Sequence, residues 1–424
     1  MKRALGILAA LVLVLGALVF WLNQRGEDKI SDAPPLAAPA ADAVARGAYL
    51  VRAGNCVSCH TQRGGAQFAG GRAIETPFGT IYGSNLTPDK ATGIGEWNAD
   101  EFWRALHNGR ARDGRLLYPA FPYANYTLLT RADADAIYAY LRTVPPVARP
   151  NTPHQLRWPY STQTALAAWR ALYFTAGAQE NDAAKSPEWN RGAYLVRGLG
   201  HCSACHTTRN ALGANANMMD LSGGLIPMQN WYAPSLTSSD EAGVSAWDLA
   251  HIERLLKTGI APRGATLGPM AEVVLQSTQH LSDADLRAMA VYLKSLPPSA
   301  KASPSEAAPM SPRMAEIGAK IYEKQCAQCH GDKGEGIAGA YPALAGNRAV
   351  NLPVTANLVQ VVLGGSFAPA TAGNPRPFGM PPYATVLSDE EVAAVLSHIR
   401  TSWGNRSGAV SELEVNLQRS STPP

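Results

Sequence analysis

The pattern C-x-x-C-H occurs three times in this 424-residue chain, at Cys56 to His60, Cys202 to His206 and Cys326 to His330, and it uses all six cysteines. Two thiols three positions apart lie on the same side of a helical turn, with the histidine beside them. A zinc ribbon needs paired C-x-x-C units without the trailing histidine, and a thioredoxin-like site needs one C-x-x-C near a βαβ pattern. Neither accounts for three copies with no cysteine left over. The pattern is the attachment signature of c-type heme, in which both thiols form thioether bonds to one porphyrin. Three covalently bound heme c groups are therefore expected, on Cys56 and Cys59, Cys202 and Cys205, and Cys326 and Cys329. His60, His206 and His330 are the expected proximal iron ligands.

Length agrees with about three domains, one core per heme. The formal charge of +4 is small for 424 residues and its signs are interspersed, which argues against a nucleic-acid partner. At the N-terminus Met1-Lys2-Arg3 precedes an uncharged apolar run from Ala4 to Leu22. That run is long enough to span a bilayer and longer than the usual core of a cleaved signal. It ends in Phe20, Trp21 and Leu22 with no small-x-small site beside it, so a retained anchor is expected over residues 1–29. Lys2 and Arg3 keep the N-terminus in the cytoplasm. The expected location is the bacterial inner membrane, single-pass, with the heme domains in the periplasm.

Internal repeats divide the rest. Arg46-Gly47-Ala48-Tyr49-Leu50-Val51-Arg52 recurs unchanged as Arg191 to Arg197, and Gly318-Ala319-Lys320-Ile321-Tyr322 echoes it ahead of the third motif. Tyr82-Gly83-Ser84-Asn85-Leu86-Thr87 matches Tyr232-Ala233-Pro234-Ser235-Leu236-Thr237, and Trp97 matches Trp247, both expected to pack. Each repeat ends in an acidic turn and an apolar-periodic helix, at Asp133 to Leu141, Asp283 to Leu293 and Asp389 to Ile399. The periodicity predicts an all-α chain with domains at 41–146, 188–298 and 313–406, and a C-terminal tail at 407–424. Tyr49, Tyr194 and Tyr322 are assigned to the crossing of each leading helix with its closing helix.

Two linkers differ in kind. Residues 299–312 belong to a proline-, serine- and alanine-rich run read as an extended tether. Residues 147–187 contain Thr162 to Phe174, which predicts an amphipathic helix. It is read as covering the crevice between two domains. A docking or membrane-surface element built on Trp158, Trp169, Tyr173 and Phe174 is the other reading, and lacks a basic face.

Methionine sulfur opposite the histidine makes a low-spin heme of raised potential. Met380, in Phe378-Gly379-Met380-Pro381-Pro382, and Met270, after Gly268-Pro269, lie ahead of their closing helices and are the expected distal ligands. The first repeat departs from this, because Leu117-Tyr118-Pro119-Ala120-Phe121-Pro122-Tyr123 places Phe121 where methionine aligns. Its distal ligand is unknown from sequence. His107 is the obvious nominee, but it aligns with Lys257 and is read as solvent-facing; His154 has no spacing argument. Met218 and Met219 are read as loop residues, and His201, His251, His280 and His398 as heme-edge or surface residues.

The leading and closing helices around a heme motif resemble the cytochrome c fold, giving three tandem cytochrome c domains after one transmembrane helix. GLGHCSACHTTRNALGA at 198–214, STQHLSDADLRAMAVYLKSLPP at 277–298, YPALAGN at 341–347 and SWGN at 402–405 extend the likeness. On these the chain resembles the membrane-bound triheme cytochrome c subunits of periplasmic alcohol, gluconate, sorbitol and fructose dehydrogenases. The loop LYPAFPY is more similar to the cytochromes paired with molybdenum hydroxylases that oxidise nicotinate or aldehydes.

The resemblance implies an electron-transfer subunit without a substrate-oxidising site of its own. Its partners are a flavin, quinone or molybdenum dehydrogenase subunit, with or without a small subunit, and membrane ubiquinone or a terminal oxidase as acceptor. Two alternatives are a peroxidase-like enzyme with an open first heme and a cytochrome subunit of a terminal oxidase.

Overall fold

A computed structural model describes the chain apart from residues 32, 35–38, 216–219, 263, 300–308 and 422–424. Met218 and Met219, and most of the proline-rich tether, lie outside the described residues. The chain is helix-rich and divides into two compact units.

The first unit comprises Met1–Ser186, Ala193–His201 and Asn210–Ala214. It begins with helix Lys2–Gln24, long and apolar enough to cross a membrane and exposed along nearly its whole length. The leading helix Ala41–Ala53 crosses the closing helix Arg131–Leu141. The crossing is tight at Gly47, where an added Cβ would overlap the carbonyl oxygen of Ala136. Thr130 caps the closing helix by accepting from the Asp133 N–H, and Arg46 donates to the Asp133 carboxylate at 2.7 Å. Tyr194 does not stay with its own repeat's crossing. Its hydroxyl donates to Asp133 at 2.6 Å, so one buried carboxylate receives two donors from different repeats.

The second unit comprises Pro187–Gly192, Cys202–Arg209 and Asn215–Pro424. Its two helix crossings follow the same rule. Gly192 lies against the Ala288 carbonyl of closing helix Asp283–Lys294, and Gly318 against the Ala394 carbonyl of closing helix Asp389–Thr401. Arg191 grips Asp285 with two bonds of 2.8 and 2.7 Å, the counterpart of Arg46 and Asp133. Around the tether, the last two repeats are bonded to each other directly. Arg348 donates to the carbonyls of Ser239 and Gly243, each at 2.8 Å, and its guanidinium lies 5.2 Å from the ring of buried Trp247. Asn357 exchanges two 2.8 Å bonds with the Tyr232 backbone.

Two features go beyond the all-α expectation. Among the described residues there are four short antiparallel sheets, the longest pairing Ala73–Thr76 with Gly79–Tyr82 and taking Gln155–Leu156 as a third strand. Segments this short have no hydrophobic period to announce them. The stretch after residue 406 also folds: helix Glu412–Ser421 buries Val415 beside Val410 and Val392, and Arg419 pairs with Asp389 at 2.6 Å.

Candidate heme centres

Each C-x-x-C-H sits on a single helical turn that follows directly from a leading helix: Cys56–His60, Cys202 with Ser203–His206, and Cys326 with Ala327–His330. The three thiol pairs and their histidines are thereby gathered locally, as spacing alone predicts. None of the cysteines forms a disulfide.

The histidines share one further arrangement. The Nδ1 atom of His60 is 2.8 Å from the carbonyl oxygen of Ser84, that of His206 is 2.7 Å from Pro234 O, and that of His330 is 3.0 Å from Pro342 O. A carbonyl oxygen can only accept, so Nδ1 carries the proton and Nε2 is left with its lone pair. Burial pushes all three imidazoles below their usual pKa, which keeps them neutral. A neutral imidazole with a bare Nε2 held by an outer carbonyl is the state an iron ligand requires. Burial, reinforced by the other cysteine of each pair, pushes the Cys56 and Cys202 thiols up to about 12 and Cys326 up to about 11. Paired thiols beside a fixed donor nitrogen and apolar walls fit a covalently attached heme.

Ser84 and Pro234 occupy the same position of the matched stretches 82–87 and 232–237. The repeat thus marks a shared backbone acceptor, which residue identity alone does not reveal. Each acceptor loop is itself anchored. Asn85 donates to Val147 O at 2.8 Å and receives from Thr87, and Ser235 N–H donates to Glu241 at 2.6 Å. Asn405 holds the Pro342 loop. It is buried and makes four bonds, from Gly346 N–H and Asn351 and to Leu344 O and Ile399 O, between 2.8 and 3.0 Å. YPALAGN and SWGN are therefore one device around His330.

Of the expected distal residues, Met380 is half-buried in a two-residue strand paired with Ser366–Phe367. It packs on a cluster that shares Ile321 and Leu358 with the cluster holding Cys326. Tyr383, three residues on, donates to Gln325 O at 2.9 Å, tying the methionine loop to the residue before Cys326. Met270 is half-buried in the first turn of Pro269–Gln276, behind a Gly268 that lies against the Trp231 ring. Phe121 packs 5.3 Å from the Tyr126 ring. Burial and then the Cys56 and Cys59 sulfurs raise the Tyr126 phenol, which places that ring beside the first thiol pair. The first centre has an aromatic wall where the third has a methionine loop.

The other histidines have packing roles. His107 is buried, which corrects the solvent-facing expectation: it stacks 4.3 Å from Trp103. Its equivalent Lys257 reaches Leu281 O at 2.7 Å, so the position serves a donor aimed at the loop before the closing helix. His154 accepts from the Tyr82 N–H at 3.2 Å through Nδ1, which puts the proton on Nε2, opposite to the three motif histidines. His201 donates to Gly54 O, and His398 lies on Tyr322 and Trp403. His251 faces Asp248 at 3.7 Å, and His280 closes a short turn at Thr278–His280.

Residues 44–145 and 315–403 match the family model "Cytochrome c". The chain is 40% identical over 398 residues to the cytochrome c subunit of a quinone alcohol dehydrogenase from Gluconacetobacter polyoxogenes, covering 90% of this chain and 85% of that protein. It is 38% identical over 418 residues to the gluconate 2-dehydrogenase cytochrome c subunit of Pantoea cypripedii, covering 93% and 91%. A nicotinate dehydrogenase subunit of Pseudomonas putida is 38% identical over 392 residues, covering 91% of this chain and 32% of that longer protein. The chain belongs to the cytochrome c family that carries covalent heme c and transfers electrons, among the cytochrome c subunits of alcohol and gluconate dehydrogenases.

Proposed function

We propose that the chain is a membrane-anchored triheme cytochrome that takes electrons from a periplasmic dehydrogenase and delivers them to ubiquinone or a terminal oxidase. Its domains are 41–146, 188–298 and 313–406, held on the periplasmic side of the inner membrane by residues 1–29. Cys56 and Cys59, Cys202 and Cys205, and Cys326 and Cys329 hold the hemes. His60, His206 and His330 are proximal ligands, with Met270 and Met380 distal at the second and third centres. Bound heme supplies a reversible one-electron iron couple. The chain's residues fix the imidazoles, exclude water and set the potential through axial ligand and burial.

The observation that carries this reading is the threefold Nδ1-to-carbonyl bond, with a thiol pair on the same turn each time. The dehydrogenase partner is the common element in the names of the similar proteins, from alcohol to nicotinate oxidation. Affinity purification of the full chain from its native membrane tests it. A flavin, quinone or molybdenum dehydrogenase subunit should accompany the chain, whereas a copper-heme oxidase alone would refute the assignment. The purified chain alone should not be reduced by ethanol, gluconate or nicotinate.

Phe121 favours one second reading, in which the first iron has an open face and binds small ligands. Carbon monoxide added to the reduced protein should then shift the spectrum of one heme in three. The variant Phe121→Met should abolish the shift, and a wholly unresponsive wild type excludes the open site.

A further inference from the structure

The C-terminal end of helix Lys2–Gln24 is bonded into the first unit rather than trailing from it. Asn23 donates to Ala167 O at 2.9 Å and accepts from Arg170 at 3.0 Å. Arg25 donates to Thr175 at 2.9 Å, Asn108 to Gly26 O at 3.0 Å and Arg110 to Asn23 O at 2.9 Å, while Arg110 also pairs with Glu27. Helix Gln163–Tyr173 is therefore fixed in the layer where the apolar helix ends.

That helix is unusual for a water-facing surface. From Trp158 to Ala178 the sole charged side chain is Arg170, and it is 3% exposed, turned onto Asn23, Gly109 O and the Phe174 ring. Leu172 is 71% exposed and Tyr173 37%, and Trp169 donates to Leu212 O. Neutral and aromatic side chains at this level suit the headgroup layer, where amphipathic rings concentrate at the ends of spanning helices. A basic face is needed when an interfacial helix must hold itself to the lipid. Here the spanning helix keeps the segment at the surface at high effective concentration.

We propose that helix Gln163–Tyr173 lies in the lipid headgroup layer, with Leu172 and Tyr173 in contact with lipid, so that the first repeat is clamped to the membrane rather than swinging on a tether. The inference rests on the anchoring reading above. It replaces the expected role of this segment as a crevice cover.

The test is lipid photolabelling of the full heme-loaded chain in nanodiscs of phosphatidylethanolamine and phosphatidylglycerol, using a diazirine on the upper acyl chain and mapping adducts by mass spectrometry. Adducts are expected both on Lys2–Gln24 and around Leu172 and Tyr173. In the double variant Leu172→Glu, Tyr173→Glu the second set should fall several-fold while the first is unchanged. Adducts confined to Lys2–Gln24 overturn the proposal and leave the anchor standing. Adducts on neither segment overturn the anchor and the proposal together. Protection of Leu172 and Tyr173 that appears only on adding the purified dehydrogenase subunit overturns it in favour of a protein-docking face.

Discussion

His201 Nε2 donates to the carbonyl oxygen of Gly54 over 3.3 Å, and the hydroxyl of Tyr126 donates to the same oxygen over 3.2 Å. The residue before the second heme-attachment motif is thus bonded two residues ahead of the first. The His201 ring meets Tyr126 edge-on at 5.7 Å, and its backbone takes φ of +39°, a left-handed setting that histidine and asparagine enter more readily than most residues. Replacing His201 with alanine removes one hydrogen bond and keeps the backbone strain, so a loss of about 1 kcal/mol is expected. His201→Asn should lose less. Denaturant unfolding of both variants checks the order, with heme content unchanged.

Gly192 is where leading and closing helices touch in the second repeat, and a Cβ added there would meet the Ala288 carbonyl and the Tyr292 Cβ. Alanine at this position must push two helices apart. The cost of such overpacking is about 1–3 kcal/mol, against the slight gain that Gly→Ala brings in an open helix. Gly6 and Gly16, with nothing nearby, are the control positions where alanine should be neutral. Thermal unfolding of Gly192→Ala and Gly16→Ala separates the two cases.

Asn405 has no partner in the sequence pattern yet satisfies four groups around the loop that holds His330. Asn405→Ala leaves Gly346 N–H and the Leu344 and Ile399 carbonyls without this partner, and a loss of about 2–3 kcal/mol is expected. Because Pro342 O holds the His330 ring, the variant should also alter the heme absorbance. A stability loss with no spectral change would limit Asn405 to a purely structural role.

Acid should release the segment after helix Lys2–Gln24. Hydrogen bonds from Ser31 and then the Arg131 guanidinium at 2.6 Å hold the Asp100 carboxyl down at about 2, against an ordinary value of 3.8. A depressed carboxylate stabilises the fold fully above its unfolded value and loses that contribution as pH falls through the folded one. The difference in Tm between wild type and Asp100→Asn should be constant above about pH 4 and close as pH drops towards about 2.

The gathering of each thiol pair with its histidine was legible because C-x-x-C-H spacing puts them on one helical turn, and the closing helices were legible because their acidic turns and apolar period agree. The expected Asp283 to Leu293 is observed as Asp283–Lys294 and Asp389 to Ile399 as Asp389–Thr401. The outer support of the histidines was not legible. Its acceptors are backbone carbonyls at Ser84, Pro234 and Pro342, which leave no mark in residue type. His107 misled for a related reason: a histidine and a lysine at one aligned position suggest solvent, but the His107 ring is buried on Trp103 and Lys257 spends its ammonium on the Leu281 carbonyl. The bonding of Arg348 onto Trp247 was likewise hidden, since a proline-rich tether says nothing of what its two ends do afterwards.

The central claim is three working hemes per chain, and a reductive spectroelectrochemical titration of the purified full-length protein tests it most directly. Three electrons per chain are expected, with Met270→Ala and Met380→Ala each lowering the potential of a single, different heme. Uptake of two electrons or fewer by the fully matured chain, or methionine variants that leave the titration unchanged, would contradict it.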